Sequence, residues 1–262
     1  MMDISILVNL IYIAASILFI VGLKMLGSPD TARQGNFLSS SGMLIAVVIT
    51  LLDQSIIDYR FIAGALLAGS VVGYFAATKV QMTSMPEMVA IFNGFGGIAS
   101  LLVGSAEYVV SSLNNPALMG AIYMTVLIGG LTFTGSLVAY GKLSEVISGK
   151  PFLYKGQQFV NAILLLAILI VGINMLFIQG IISPNQTLIL LITLSFLLGV
   201  LFVIPIGGAD MPVVIALLNS FSGLAACAAG FVITNNVLIV AGSLVGASGL
   251  ILTNIMCKAM NR

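Results

Sequence analysis

Asn93 and Asn219 each stand seven residues after a proline, Pro86 and Pro212, in stretches that are otherwise almost wholly apolar. Seven residues of α-helix rise about 10 Å, so both amides lie at one depth inside hydrophobic sequence. A primary amide offers donors and an acceptor, and in hydrocarbon it must find partners. Such a pair either bonds neighbouring helices, worth about 0.6 kcal/mol on average, or lines a polar, water-holding route through a helix bundle. Two amides at matched depth favour the route. Thr132, Thr134 and Ser136 in one apolar run, and Ser243 and Ser248 in another, are hydroxyls able to join it. Each can also bond back to its own helix.

Acids occur only where such helices would start or end. "GGADMPVV" (207–214) places Asp210 two residues before Pro212. A carboxylate there caps a helix, and a first-turn proline loses no hydrogen bond. The Gly207–Gly208 approach is more flexible than a cap requires. Ser84-Met-Pro-Glu87 has the form of a capping box, and Glu87 is a second acid at a helix mouth.

There is no histidine, and no charged residue falls near the middle of an apolar run. Metal-ligand spacings, a haem ligand pair and a soluble nucleotide domain are also missing from the sequence. Gly94-x-Gly96-x-x-Ala99 fits the dinucleotide fingerprint, but it lies inside an apolar run with no preceding strand. No catalytic, cofactor-binding or metal residue is therefore assigned. A chain that carried protons alone would usually hold an ionisable group at mid-membrane.

These residues need helices to position them. Of 262 residues, 60% are hydrophobic and 6% charged, with a mean hydropathy of +1.21. A soluble domain carries about 25% charge, so the chain is read as all-α and membrane-embedded. Apolar runs give nine spans, roughly 4–25, 37–53, 60–77, 86–105, 118–140, 159–178, 186–205, 212–232 and 236–257. The first lacks a basic leader and a cleavage site, and reads as a retained helix. Eight of the nine Lys and Arg residues fall in alternate links, and only Arg60 lies on the other side. The positive-inside rule then places the N-terminus outside and the C-terminus in the cytoplasm. Cys227 and Cys257 fall at different depths and are expected to stay free. With a net charge of +1 and no basic block, nothing points to nucleic acid.

"MPEMVAIFNGFGGIASLLVG" (85–104) matches "MPVVIALLNSFSGLAACAAG" (211–230) at eight of twenty positions, Asn and Phe-x-Gly among them. Both helices run the same way, so the repeat is parallel. Gly69/Gly73 and Gly242/Gly246 form G-x-x-x-G pairs that predict close helix packing.

"TARQGN", "MTSMPEMVAIFNGFGG", "TFTGSLVAYGKL", "GGADMPVVIALLNSFSG" and "MCKAMNR" together resemble the β subunit of proton-translocating nicotinamide nucleotide transhydrogenase, from Thr31 to Arg262. That resemblance implies a membrane domain, residues 1–262, that couples proton passage to hydride transfer between NAD(H) and NADP(H). It implies that the hydride chemistry belongs to soluble domains elsewhere, with no nucleotide held by this chain. An NADP(H)-binding domain would follow Arg262. An α subunit would supply further membrane helices and the NAD(H) domain, in a homodimer embedded in the lipid bilayer of the bacterial inner membrane. By position, the resemblance gives Asn93, Asn219 and Ser136 to the proton path. It gives Asp210, Gly249, Lys258, Arg262 and Glu87 to coupling or docking. The family often has histidine where this chain has Asn93. The alternative is a self-contained secondary transporter or channel, with substrate at broken helices near the midplane. The prolines Pro86, Pro205 and Pro212 break helices only at their mouths.

Overall fold

The computed structural model describes residues 4–52, 59–111, 115–178 and 182–261. Among them the regular elements are all helical: α1 (Ile4–Met25), α2 (Pro29–Leu52), α3 (Tyr59–Lys79), α4 (Met85–Val110), α5 (Pro116–Leu143), α6 (Gln157–Ile173), α7 (Pro184–Val203), α8 (Met211–Val232) and α9 (Asn236–Ala259). All nine are long and apolar enough to cross a membrane, and the chain is an integral membrane protein. Most expected spans match within a few residues. The exception is α2, which starts at Pro29 and not near 37. Proline suits a first helical position, and Asp30 in the first turn faces the positive end of the helix dipole. The polar "TARQGN" is therefore helical. Residue 53, the expected end of that span, lies outside the described residues. A π-helical turn, Asn174–Ile178, follows α6.

The chain divides into two compact units, Met1–Gln81 and Met82–Arg262. In the first, α1 and α2 form a hairpin whose backbones touch. A Cβ on Gly22 would lie 2.8 Å from Gly35 O, and one on Gly35 would lie 2.7 Å from Gly22 O. The packing expected at Gly69 and Gly73 is not made: nothing among the described residues lies within 4 Å of a Cβ built on either. Helix α3 buries none of its residues.

In the second unit α5 is central, packed against α4, α7 and α8. Its glycines and hydroxyls lie on buried faces, including Gly129, Gly130, Thr132, Gly135 and Ser136. Two apolar cores stack along it. One holds Leu101, Met119, Ile122, Val126 and Leu191. The other holds Ala90, Ala139, Val203, Met211 and Leu218, toward the end where α5 and α7 finish and α4 and α8 begin.

The repeat read in α4 and α8 extends to two helical hairpins, α4–α5 and α8–α9. Each of α4 and α8 is entered through a 3₁₀ turn, Met82–Ser84 and Gly208–Asp210. The residues before them share one geometry, φ −93°, ψ 9° at Ser84 and φ −92°, ψ −1° at Asp210. The capping expectation is corrected here, since neither Ser84 nor Asp210 makes a side-chain capping bond. A capping side chain needs extended backbone at that position, and the 3₁₀ entry replaces it. Asn115 and Asn235 do cap, at α5 and α9, both in extended conformation. The shared glycines make equivalent close approaches. A Cβ on Gly97 would lie 2.7 Å from Gly129 O, and one on Gly223 would lie 2.9 Å from Gly242 O.

The hairpins differ in length. Fourteen residues separate the cap of α5 from its crossing glycine (Asn115 to Gly129), against seven in α9 (Asn235 to Gly242). Measured from these glycines, α5 therefore starts about 10 Å further out than α9, while α4 ends four residues, about one turn, further out than α8.

These contacts set a stability test. Gly97→Ala in the purified protein should lower the melting temperature, because overpacking of this kind costs about 1–3 kcal/mol. Gly73→Ala should leave melting unchanged or raise it slightly. Equal tolerance at both positions would show that α4 and α5 do not cross at Gly97.

Candidate functional site

Asn93 is buried, 8% exposed, where α4, α5 and α8 meet. Its Nδ2 donates to Ser136 Oγ of α5 at 2.9 Å. Its Oδ1 lies 2.8 Å from Ser222 Oγ of α8. That hydroxyl is equally close, 2.8 Å, to Asn219 O one turn earlier. With a single proton, Ser222 can donate to one acceptor at a time. The two bonds of Asn93 engage one of its two donor hydrogens and one of its two lone pairs. The remaining capacity suits water. The result is a neutral hydrogen-bonding junction whose serine can switch acceptors.

Gly94 permits this closeness, since a Cβ there would sit 3.2 Å from Ser136 Cβ. On the second hairpin the pattern is exchanged. Ser220 aligns with Gly94 one residue after the repeated Asn, and it packs on Gly249, whose Cβ would be 2.8 Å from Ser220 Cβ. Ser220 Oγ donates to Gly246 O at 2.6 Å. Gly249 thus keeps α9 against α8 one residue from Asn219. The two repeated amides do not share an environment: Asn93 is buried and Asn219 is exposed on α8.

Among the other hydroxyls, Thr132 bonds Ile128 O and Ser248 bonds Val245 O within their own helices, while Ser243 bonds Ile239 O and also lies 3.2 Å from Cys227 Sγ of α8. Thr134 reaches across to Phe196 O of α7 at 2.8 Å. Residues 94–99 are continuous α-helix, with Gly97 pressed on α5. They form no strand-to-helix turn of the kind that cradles a dinucleotide. Cys227 and Cys257 are free thiols.

At the end where α8 begins, two links are clasped together. Lys142, 3% exposed, sits in the last turn of α5 and donates through Nζ to Ile204 O and Ile206 O, each at 2.6 Å. A cation at the C-terminal carbonyls of α7 meets the negative end of that helix. Phe152 N donates to Ile204 O at 3.3 Å and Gly208 N to Gly149 O at 2.8 Å. The link after α5 therefore holds the link that carries Asp210. Asp210 is half-buried at the mouth of α8, and Glu87 is half-buried in the first turn of α4. Lys258 is exposed in the last turn of α9. Arg262 lies outside the described residues.

Sequence reasoning missed Ser222 and Lys142. Ser222 stands in the "NSFSG" of the repeat but aligns with Gly96 in the other copy, so the repeat does not mark it. Lys142 was counted only as a basic link charge. Its adjacency to an apolar helix end was the available signal.

A profile of the family described as NAD(P) transhydrogenase beta subunit matches residues 8–262. A protein of Rhodospirillum rubrum named NAD(P) transhydrogenase subunit beta is 41% identical over 259 residues, covering 96% of this chain and 55% of the relative. A protein of the same name from a designated strain of that species matches equally. The chain thus spans about half the length of the curated relatives it matches.

The junction itself can be tested for stability. Ser136→Ala leaves the Asn93 amide without its acceptor in a buried site, which should cost about 1–3 kcal/mol in thermal or denaturant unfolding of the purified protein. Ser248→Ala, exposed and bonded within its own helix, should stay within about 0.5 kcal/mol of the parent. Equal effects would mean that Asn93 is satisfied some other way.

Proposed function

The chain belongs to the NAD(P) transhydrogenase beta-subunit family, and we propose that it forms that protein's proton-translocating membrane domain. Proton passage through the second unit is coupled to hydride transfer between NAD(H) and NADP(H) on soluble domains elsewhere. The observation that carries this reading is the Asn93–Ser136–Ser222 junction. It is a neutral set of donors and acceptors joining three helices, with Asn93 and Ser136 buried and Ser222 half-buried, in a chain with no charged group at mid-span. A junction of this kind orders water and reorients hydrogen bonds without holding a charge in hydrocarbon.

In this proposal the end bearing Lys142, Lys150, Lys155 and Lys258 faces the cytoplasm, by the positive-inside rule. The chain lies in the bacterial inner membrane. There Asp210, Glu87, Lys258 and Arg262 meet an NADP(H)-binding domain, with Gly249 fixing α9 behind them. Lys142 and the clasped links transmit movement of that domain to the start of α8. Asn219, exposed on this chain, faces membrane helices supplied by an α subunit, which also brings the NAD(H) domain. The protomer pairs as a homodimer.

The test uses the full complex in liposomes. Asn219→Leu should reduce pumping by at least about tenfold, an effect in the range seen for groups that move protons, with the complex still assembled. Asp210→Asn keeps the size and hydrogen-bonding shape of the side chain, so it should keep thermal stability, and it should pump less than the parent. Parental pumping by both variants would overturn the reading.

A further inference from the structure

Glu107 lies in the last turn of α4, at the end of the second unit remote from the basic links. Among the described residues no other charged residue occurs at that end of the unit. The acid lines a cavity of about 850 Å³ with Asn115 and Ala121 of the first hairpin and Val232 and Thr234 at the end of α8. The cavity lies where the first hairpin extends further past its crossing glycine than the second does, by about two turns on α5 and about one on α4. Ser111 Oγ donates to Glu107 Oε1, tethering the carboxylate at the rim.

The cavity floor is apolar. Val232 belongs both to its wall and to the core of Leu101, Met119, Ile122 and Val126. Beyond that layer, on the same helices α4, α5 and α8, lies the Asn93 junction. Fourteen residues of α4 separate Glu107 from Asn93, about 21 Å along the axis. One seam therefore carries a polar junction inside, an apolar layer, and a solitary carboxylate in a wide cavity. Tyr108 is buried in the apolar layer. The neighbouring α5, α8 and α9 ends present only neutral groups, among them Asn115 and Thr234.

We propose that Glu107 is the proton-exchange group at the outer mouth of this seam. Its carboxylate takes a proton from hydronium in bulk water, leaving water, and returns that proton to a water molecule of the cavity. The reverse sequence releases protons outward. This inference rests on the proton-path reading above and on the topology proposed with it.

The experiment uses the full complex in oriented liposomes, with Asn93→Leu as the reference for the path. Glu107→Gln keeps the size and the bond from Ser111 but cannot titrate. It should lower pumping at least about tenfold and flatten its dependence on external pH. Glu107→Asp should keep both. Glu107→Thr serves if the Gln variant fails to assemble. Glu107→Cys should react with a membrane-impermeant maleimide added outside. Parental pumping and pH dependence in Glu107→Gln, with Asn93→Leu inactive, would overturn the role of Glu107 and leave the path standing. Parental pumping in both would overturn the path, and Glu107's role with it. Labelling of Glu107→Cys only from the other side would contradict an outward mouth.

Discussion

An amide buried among apolar helices has to be bonded, and that requirement sets where α4, α5 and α8 meet. Asn93 reaches α5 through Ser136 and α8 through Ser222. Neither bond forms unless the helices come closer than ordinary side chains allow. Gly94 and Gly97 supply that closeness on α4, and Gly129 supplies it on α5. In a bilayer, where lipid is as apolar as leucine, small residues and polar bonds are what hold helices together. Here they act at one place. The second hairpin repeats the glycine crossing but exchanges hydroxyl and glycine at the next contact, and its amide, Asn219, is exposed.

Polar groups along the seam are separated by apolar layers. The core of Ala90, Ala139, Val203 and Met211 lies toward the basic end, and that of Leu101, Met119, Ile122 and Val126 lies toward the other. Narrow apolar layers of this kind exclude water. At the basic end the Lys142 clasp ties the α5 terminus to the link before α8. A hydroxyl with two acceptors at equal distance needs little displacement to change partner.

Much of this was legible in the sequence. Continuous apolar runs fixed nine helices, because length and lack of charge are sufficient signals for a spanning helix. The repeat located Asn93, since the amide recurs in register. Other features were not readable. Asp210 and Ser84 have the residue types of caps, but a 3₁₀ turn before each helix removes the extended geometry that capping needs. The contrast between Asn93 and Asn219 depends on which neighbour a helix face meets, and periodicity does not encode that. Gly69 and Gly73 show the same limit: a small-residue face predicts close packing without naming a partner. The cavity at Glu107 lies where the hairpins differ in length, a difference visible only once both hairpins are superposed in mind on their shared glycines.

The most direct measurement is proton pumping by the full complex carrying Asn93→Leu, followed with a pH-sensitive dye in liposomes, beside the amount of assembled complex. Leucine fills the space of the amide and removes every donor and acceptor at the junction's centre. Pumping reduced by at least about tenfold with assembly retained is the predicted result. Pumping at the parental rate would contradict a route through Asn93 and leave the junction as a helix contact only.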